Sequence, residues 1–166
     1  IVFAEKDESS GLRVLEEFGQ NVLKDNPEYQ NALQKIKPDL EYDQLFAKAI
    51  QGRAVVLGYY FGSGSQAASQ ESTTGALPGP VLPAGTFAGK NIDFSQGFGY
   101  GSNLAELMKV AASAGHFNPD PDGDGVLRRV AMLQEYKGAY YEPLSLAMLR
   151  VAIALSEVAK NKGTAV

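Results

Sequence analysis

The opening apolar run Ile1-Val2-Phe3-Ala4 predicts a short buried strand, entered partway. A polar loop, Glu5-Lys6-Asp7-Glu8-Ser9-Ser10, follows it. Leu12, Leu15, Phe18, Val22 and Leu23 then recur at helical spacing. Asn26-Pro27 is a restart signal: Asn caps, and Pro at the first helical position loses no needed hydrogen bond. Tyr29, Leu33 and Ile36 give that short helix an apolar edge. Pro38-Asp39 is read as the start of another helix. There Tyr42, Leu45, Phe46, Ala49 and Ile50 fall at i, i+3, i+4, i+7 and i+8, and Gly52 ends it. The unbroken β-branched and aromatic run from Ala54 to Phe61 predicts a strand covered on both faces.

Residues 62–90 change character. They are rich in Gly, Ser, Ala, Gln and Pro, with Gly79-Pro80 and Pro83 as breakers, and predict a long, partly mobile loop. Asn103 and Glu106 have capping-box spacing. Leu104, Leu107, Met108, Ala111 and Gly115 continue as a helix stripe whose small residues suit close packing on a sheet. His116-Phe117-Asn118 reads as a short strand, Asp120 to Gly125 as a tight turn, and Val126 to Glu135 as a strand. Lys137-Gly138 turns into Ala139-Tyr140-Tyr141. Pro143 opens a last helix whose apolar face carries Leu144, Ala147, Met148, Val151, Leu155 and Val158. Strands alternate with helices early and a hairpin-like pair comes late. The expected fold is therefore α/β, one domain with a mixed β-sheet flanked by helices on both faces.

The 166 residues suffice for one domain with a sizeable core, which eight Tyr and eight Phe supply. The net charge of -4 and the scattered basic residues argue against a nucleic-acid partner. There is no cysteine, which excludes disulfides, thiolate metal sites and a cysteine nucleophile. No window of roughly 18 uncharged apolar residues spans a membrane. Residues 144–159 come nearest, but Ser145, Arg150, Ser156 and Glu157 interrupt them. The abrupt apolar start is read as that of a piece excised from a longer protein.

The most pointed chemical signal is Asp120-Pro121-Asp122-Gly123-Asp124-Gly125. Alternating carboxylates followed by a glycine resemble the opening of a calcium loop, making Asp120, Asp122 and Asp124 candidate metal ligands. The twelfth position, where a bidentate Glu belongs, is Ala131. A strand-connecting turn built from Asp and Gly for backbone reasons is therefore the preferred reading. Arg128 and Arg129 follow, pointing to opposite faces if they lie on a strand. They either pair with nearby aspartates or hold an anion in a sensor pocket. Glu5, Asp7 and Glu8 cluster just after the first strand, a familiar site position in α/β sheets, although without a partner motif a solvated loop is the default reading. Glu5, Asp7 and the two arginines are the candidate ligand-binding residues. His116 is the only histidine, so neither a His-dependent triad nor a two-His metal site is complete. No serine sits in a nucleophile elbow, and Gly97 to Gly101 lacks a phosphate-cradle pattern. No catalytic residue is expected.

Three stretches together resemble the CHASE family, type 2, the sensory extracellular domains associated with cyclases and histidine kinases. They are Phe117-Asn118, Asp122-Gly123-Asp124-Gly125-Val126-Leu127-Arg128-Arg129-Val130, and Tyr140-Tyr141-Glu142-Pro143-Leu144-Ser145-Leu146-Ala147. The family pattern there is a Phe-Asn strand, Asp-Gly-Val-x-Arg-Arg, an apolar strand and a Tyr-Pro-Ser-Leu-Ala helix start. Glu142 intervenes here between Tyr and Pro, and Leu144-Ser145 reverses the usual order. Ile1 to Asp7 resembles the family's Asp-Ile-x-Phe-x-Glu-x-Asp stretch without its first residue. Asp43 to Ala49 with Val55 to Gly58 resembles its helix-then-strand unit.

The resemblance implies an extracytoplasmic sensor domain, a fragment of a larger bacterial membrane receptor with flanking membrane helices. Its place is the periplasmic or extracellular side of the cytoplasmic membrane. It implies an unidentified small-molecule ligand and output through an adenylate or guanylate cyclase, or a histidine or serine/threonine kinase. A homodimer is expected in the full receptor, and no cofactor. Members usually carry a further strand and helix before the first stretch; without them an open sheet edge would favour pairing between chains. The competing readings are a calcium-stabilised interaction domain and, behind it, a metal-dependent enzyme using Glu5, Asp7 and the Asp120 turn.

Overall fold

The structure, a computed structural model, describes residues 2–62 and 72–163; the side chains of 120, 121 and 161–163 fall outside that description. Ile1 of the expected first strand and residues 63–71 of the expected loop lie outside the described residues.

Three helices come first: α1 (Leu12–Asn21), α2 (Pro27–Leu40) and α3 (Tyr42–Ile50). Asn26 caps α2 as its type predicts, accepting from the Tyr29 N–H at 3.0 Å. Pro38 does not open a helix; it lies inside α2. Its missing N–H weakens the last turn, α2 stops two residues later, and α3 starts afresh at Tyr42.

The central strand β1 (Val56–Gly62) sits in a four-stranded sheet with β2 (Thr73–Thr74), β4 (Phe98–Gly101) and β5 (Ser113–His116), in the order β2-β4-β1-β5. It runs antiparallel to β4 and parallel to β5, pairing Leu57 with Ala114 and Tyr59 with His116. Between β4 and β5 lies α4 (Ala105–Val110). A second mixed sheet joins β3 (Ser95–Gln96), β8 (Gln134–Tyr136) and β9 (Ala139–Tyr141) in that order. β6 (Asp120–Pro121) and β7 (Leu127–Arg129) form a separate hairpin, and α5 (Leu144–Gly163) ends the described chain.

Alternation along β1 divides the molecule. Leu57, Tyr59 and Phe61 point into a core shared with Ala47, Ile50, Leu107, Tyr136 and Tyr141. On the other face, Gly58 and Gly115 leave room beside Val56 and Tyr60. A Cβ on Gly58 would meet the Phe117 ring at 2.9 Å, and one on Gly115 the Leu144 Cα at 2.5 Å. The start of α5 therefore lies directly on the sheet. The mixed sheet is covered on both faces, α3 and α4 on one and α5 on the other, in a single domain, as the pattern predicts.

Local departures have physical causes. Residues 2–4 form no strand; they are held by Asn103, whose Oδ1 accepts from the Phe3 N–H at 2.9 Å. Asn103 is fully buried, and its amide also donates to the Gly58 carbonyl. Two long-range bonds outcompete the capping role its spacing suggested, and α4 starts after Leu104 without a side-chain cap. Gly115 belongs to β5, not to a helix stripe. The expected strand from Val126 to Glu135 is interrupted, because Leu127 to Arg129 pair outward with β6 while Gln134 turns inward to the second sheet. Within the expected loop, Val81 and Leu82 bond to Tyr140, and the Phe87 ring stands edge-on to Tyr140 at 4.9 Å.

Candidate functional site

The hairpin brings the arginines to the aspartates. Arg128 donates to Asp122 at 2.9 Å and makes a two-point contact with Asp124 at 3.0 and 2.9 Å. Arg129 also donates to Asp122. Arg129 first, then Arg128, hold the Asp122 carboxyl below its ordinary range, and Arg128 does the same for Asp124. The guanidinium groups are mostly exposed and already matched by carboxylates. The Asp120 side chain lies outside the described residues. Among those described, no three His, Asp or Glu side chains stand where they could hold a metal ion.

Glu5 and Asp7 occupy the exposed segment after residues 2–4. Ser9 holds the Asp7 carboxyl low, through its side chain first and then through its N–H, which donates to Asp7 at 2.8 Å; the Asp7 N–H itself donates to Asp43 at 2.9 Å. No hydrogen bond or ion pair joins Glu5 or Asp7 to Arg128 or Arg129 among the described residues, so the two candidate sets stand apart.

A different constellation forms where β1, β5, α4 and α5 meet. A cavity of about 340 Å³ is lined there by Tyr59, Met108, Lys109, Tyr141, Glu142 and Arg150, with Leu77 and Val81 forming part of its apolar wall. Glu142 is only 4% exposed, an uncommon state for a carboxylate unless it is paired. Its partner is Arg150, two turns along α5, which also donates to the Ser113 hydroxyl at 3.0 Å. The carboxylate raises the Arg150 pKa, fixing it as a cation. Tyr59 is 1% exposed, and burial, then Tyr141 and Glu142 beside it, push its phenol up, so it remains a neutral donor. Its hydroxyl bonds to no other described residue. Lys109 at the rim forms no ion pair among the described residues.

Sequence reasoning did not single out these residues. Arg150 registered only as an interruption of an apolar helix, and Glu142 only as an insertion before Pro143. Those two misfits, eight residues apart and opposite in charge, were the available signal.

His116, paired with Tyr59 at the end of β5, is fully buried, its ring 6.1 Å from that of Phe61. Neither ring nitrogen makes a well-formed hydrogen bond. Burial lowers its pKa to about 4, and the nearby Tyr141 carbonyl offsets only part of that. A neutral imidazole buried against an aromatic ring is a packing element.

The family model of the CHASE2 domain covers residues 1–164 of the chain. No curated protein and no solved structure matches it.

Proposed function

The chain belongs to the CHASE2 domain family, non-catalytic extracellular sensory domains found with signalling proteins, and on that premise we propose that it senses a small molecule outside the cytoplasm for a bacterial membrane receptor. The output is a cyclase forming a cyclic nucleotide, or a histidine or serine/threonine kinase. No described helix is long and apolar enough to cross a membrane, which suits a domain standing outside the bilayer. Membrane helices of the parent receptor flank it, and two copies pair in that receptor.

The observation that carries the sensing role is the cavity with Arg150 in its wall. Arg150 belongs to α5, so occupancy and helix position share a residue. A ligand shifts a receptor only by binding two arrangements unequally, and a contact on α5, the helix that on this reading leads toward the membrane, is a direct way to do so.

Thermal unfolding of the 166-residue chain against a panel of small metabolites and anions, with calcium as a separate arm, tests the reading. A metabolite that binds the folded chain raises the midpoint, by mass action about 2.7 kcal/mol at a hundredfold excess over its dissociation constant. A metabolite-specific rise supports the sensor. A rise with calcium alone favours a calcium-stabilised interaction domain seated on the Asp122 hairpin. A flat response throughout counts against ligand sensing by this domain.

A further inference from the structure

Building on the sensor reading, we propose that the cavity beside Tyr59 binds a small organic carboxylate with an apolar body. Its charged lining is Lys109, Arg150 and Glu142, two cations against one anion. Glu142 is already engaged by Arg150. The uncompensated charge is thus positive, which selects an anion over an amine. Tyr59 adds a neutral donor that is 99% enclosed and bonded to no other described residue. Tyr59 lines the cavity, so a carboxylate oxygen placed there can accept from its hydroxyl. Tyr141 sets a second phenol in the same wall.

The rest of the lining rules out a bare inorganic anion as the best fit. Leu77, Val81 and Met108 form an apolar wall with no donor to offer, so part of the ligand is hydrocarbon. The carboxylate sits between Lys109, Tyr59 and the outer N–H groups of Arg150, and the apolar body lies against that wall. In that position the ligand competes with Glu142 for Arg150. Occupancy would therefore loosen or redirect the Glu142–Arg150 ion pair that ties the cavity to α5.

Acetate, butyrate and hexanoate, with hexanamide, hexylamine and inorganic phosphate as controls, are titrated against the chain. Binding is followed by thermal unfolding and by NMR amide shifts. Affinity is expected to rise about threefold to fourfold for each methylene buried along the carboxylate series. Hexanamide, hexylamine and phosphate should leave the cavity's amides unmoved.

Tyr59→Phe, which removes only an unbonded hydroxyl, should weaken hexanoate about tenfold. Lys109→Met should weaken it less, and should abolish most of its dependence on ionic strength. Both variants are checked for an unchanged unliganded midpoint. Hexylamine or hexanamide binding as well as hexanoate overturns the proposal, as does hexanoate binding that neither variant alters. If the carboxylates are silent while another metabolite stabilises the chain, this inference falls and the sensor reading stands. A flat response to every compound removes both.

Discussion

An imidazole with no hydrogen-bond partner is tolerated in a protein interior only while it is neutral. His116 meets that condition, at a cost that depends on pH. Its folded pKa is about 4 against 6.5 for the free side chain, so between those values the unfolded chain binds more protons than the folded one. Stability is accordingly full above about pH 6.5 and declines as pH falls towards 4. The loss attributable to this one residue between pH 7 and pH 5 is about 2 kcal/mol. Urea unfolding at those two pH values should show it, and His116→Phe should remove most of the difference. An equal pH dependence in that variant would place the sensitivity elsewhere. The other buried polar residues behave differently because they are matched: Asn103 ties Phe3 to Gly58, and Glu142 is met by Arg150. Reading the lone histidine as structural rested on its lack of partners in the chain, and the aromatic ring packed beside it accords with that.

Among the elements, the β6–β7 hairpin shows how little several charge contacts can weigh when they face water. Arg128 is about half exposed, and exposed pairs are screened. Arg128→Ala should therefore cost under about 1 kcal/mol in urea unfolding, and less still in high salt. A loss of several kcal/mol would mean that the hairpin carries the fold. Elements like α3 were legible because their apolar positions repeat every third or fourth residue. The start of α2 was legible because Asn26 and Pro27 each suit only a few local geometries. β4 was not, because its glycines disguise alternation as loop composition. Yet Gly99 passes the Ser72 backbone and Gly101 the Tyr60 ring so closely that a side chain could not fit at either. Gly115 misled for the same reason, since α5 rather than a helical neighbour demands its missing Cβ. The family itself was legible from the arginine-bearing segment. The cavity was not, because Tyr59, Lys109 and Glu142 are far apart in sequence and meet only after β1 and β5 pair and α5 lies across them.

At the scale of the whole molecule, α5 belongs to two environments. Its first turns rest on the sheet, with Ala147 fully buried, while Ile153, Leu155 and Val158 are each about half exposed. Arg150 stands at the boundary. It is the side chain through which the buried carboxylate of Glu142 grips the helix, reinforced by Ser113 at the start of β5. A pair whose anion is buried and whose cation is 58% exposed should weigh less than a fully buried pair, and more than a surface one. Arg150→Ala strands the Glu142 charge and is expected to cost about 1–2 kcal/mol. Glu142→Gln removes that charge while keeping the shape, so adding it to Arg150→Ala should restore part of the loss. A double-mutant cycle by urea unfolding would then give a coupling of at least about 0.5 kcal/mol. If the two substitutions simply add, the pair does not hold α5 to the sheet, and a ligand that displaced Glu142 from Arg150 would have no leverage on the helix.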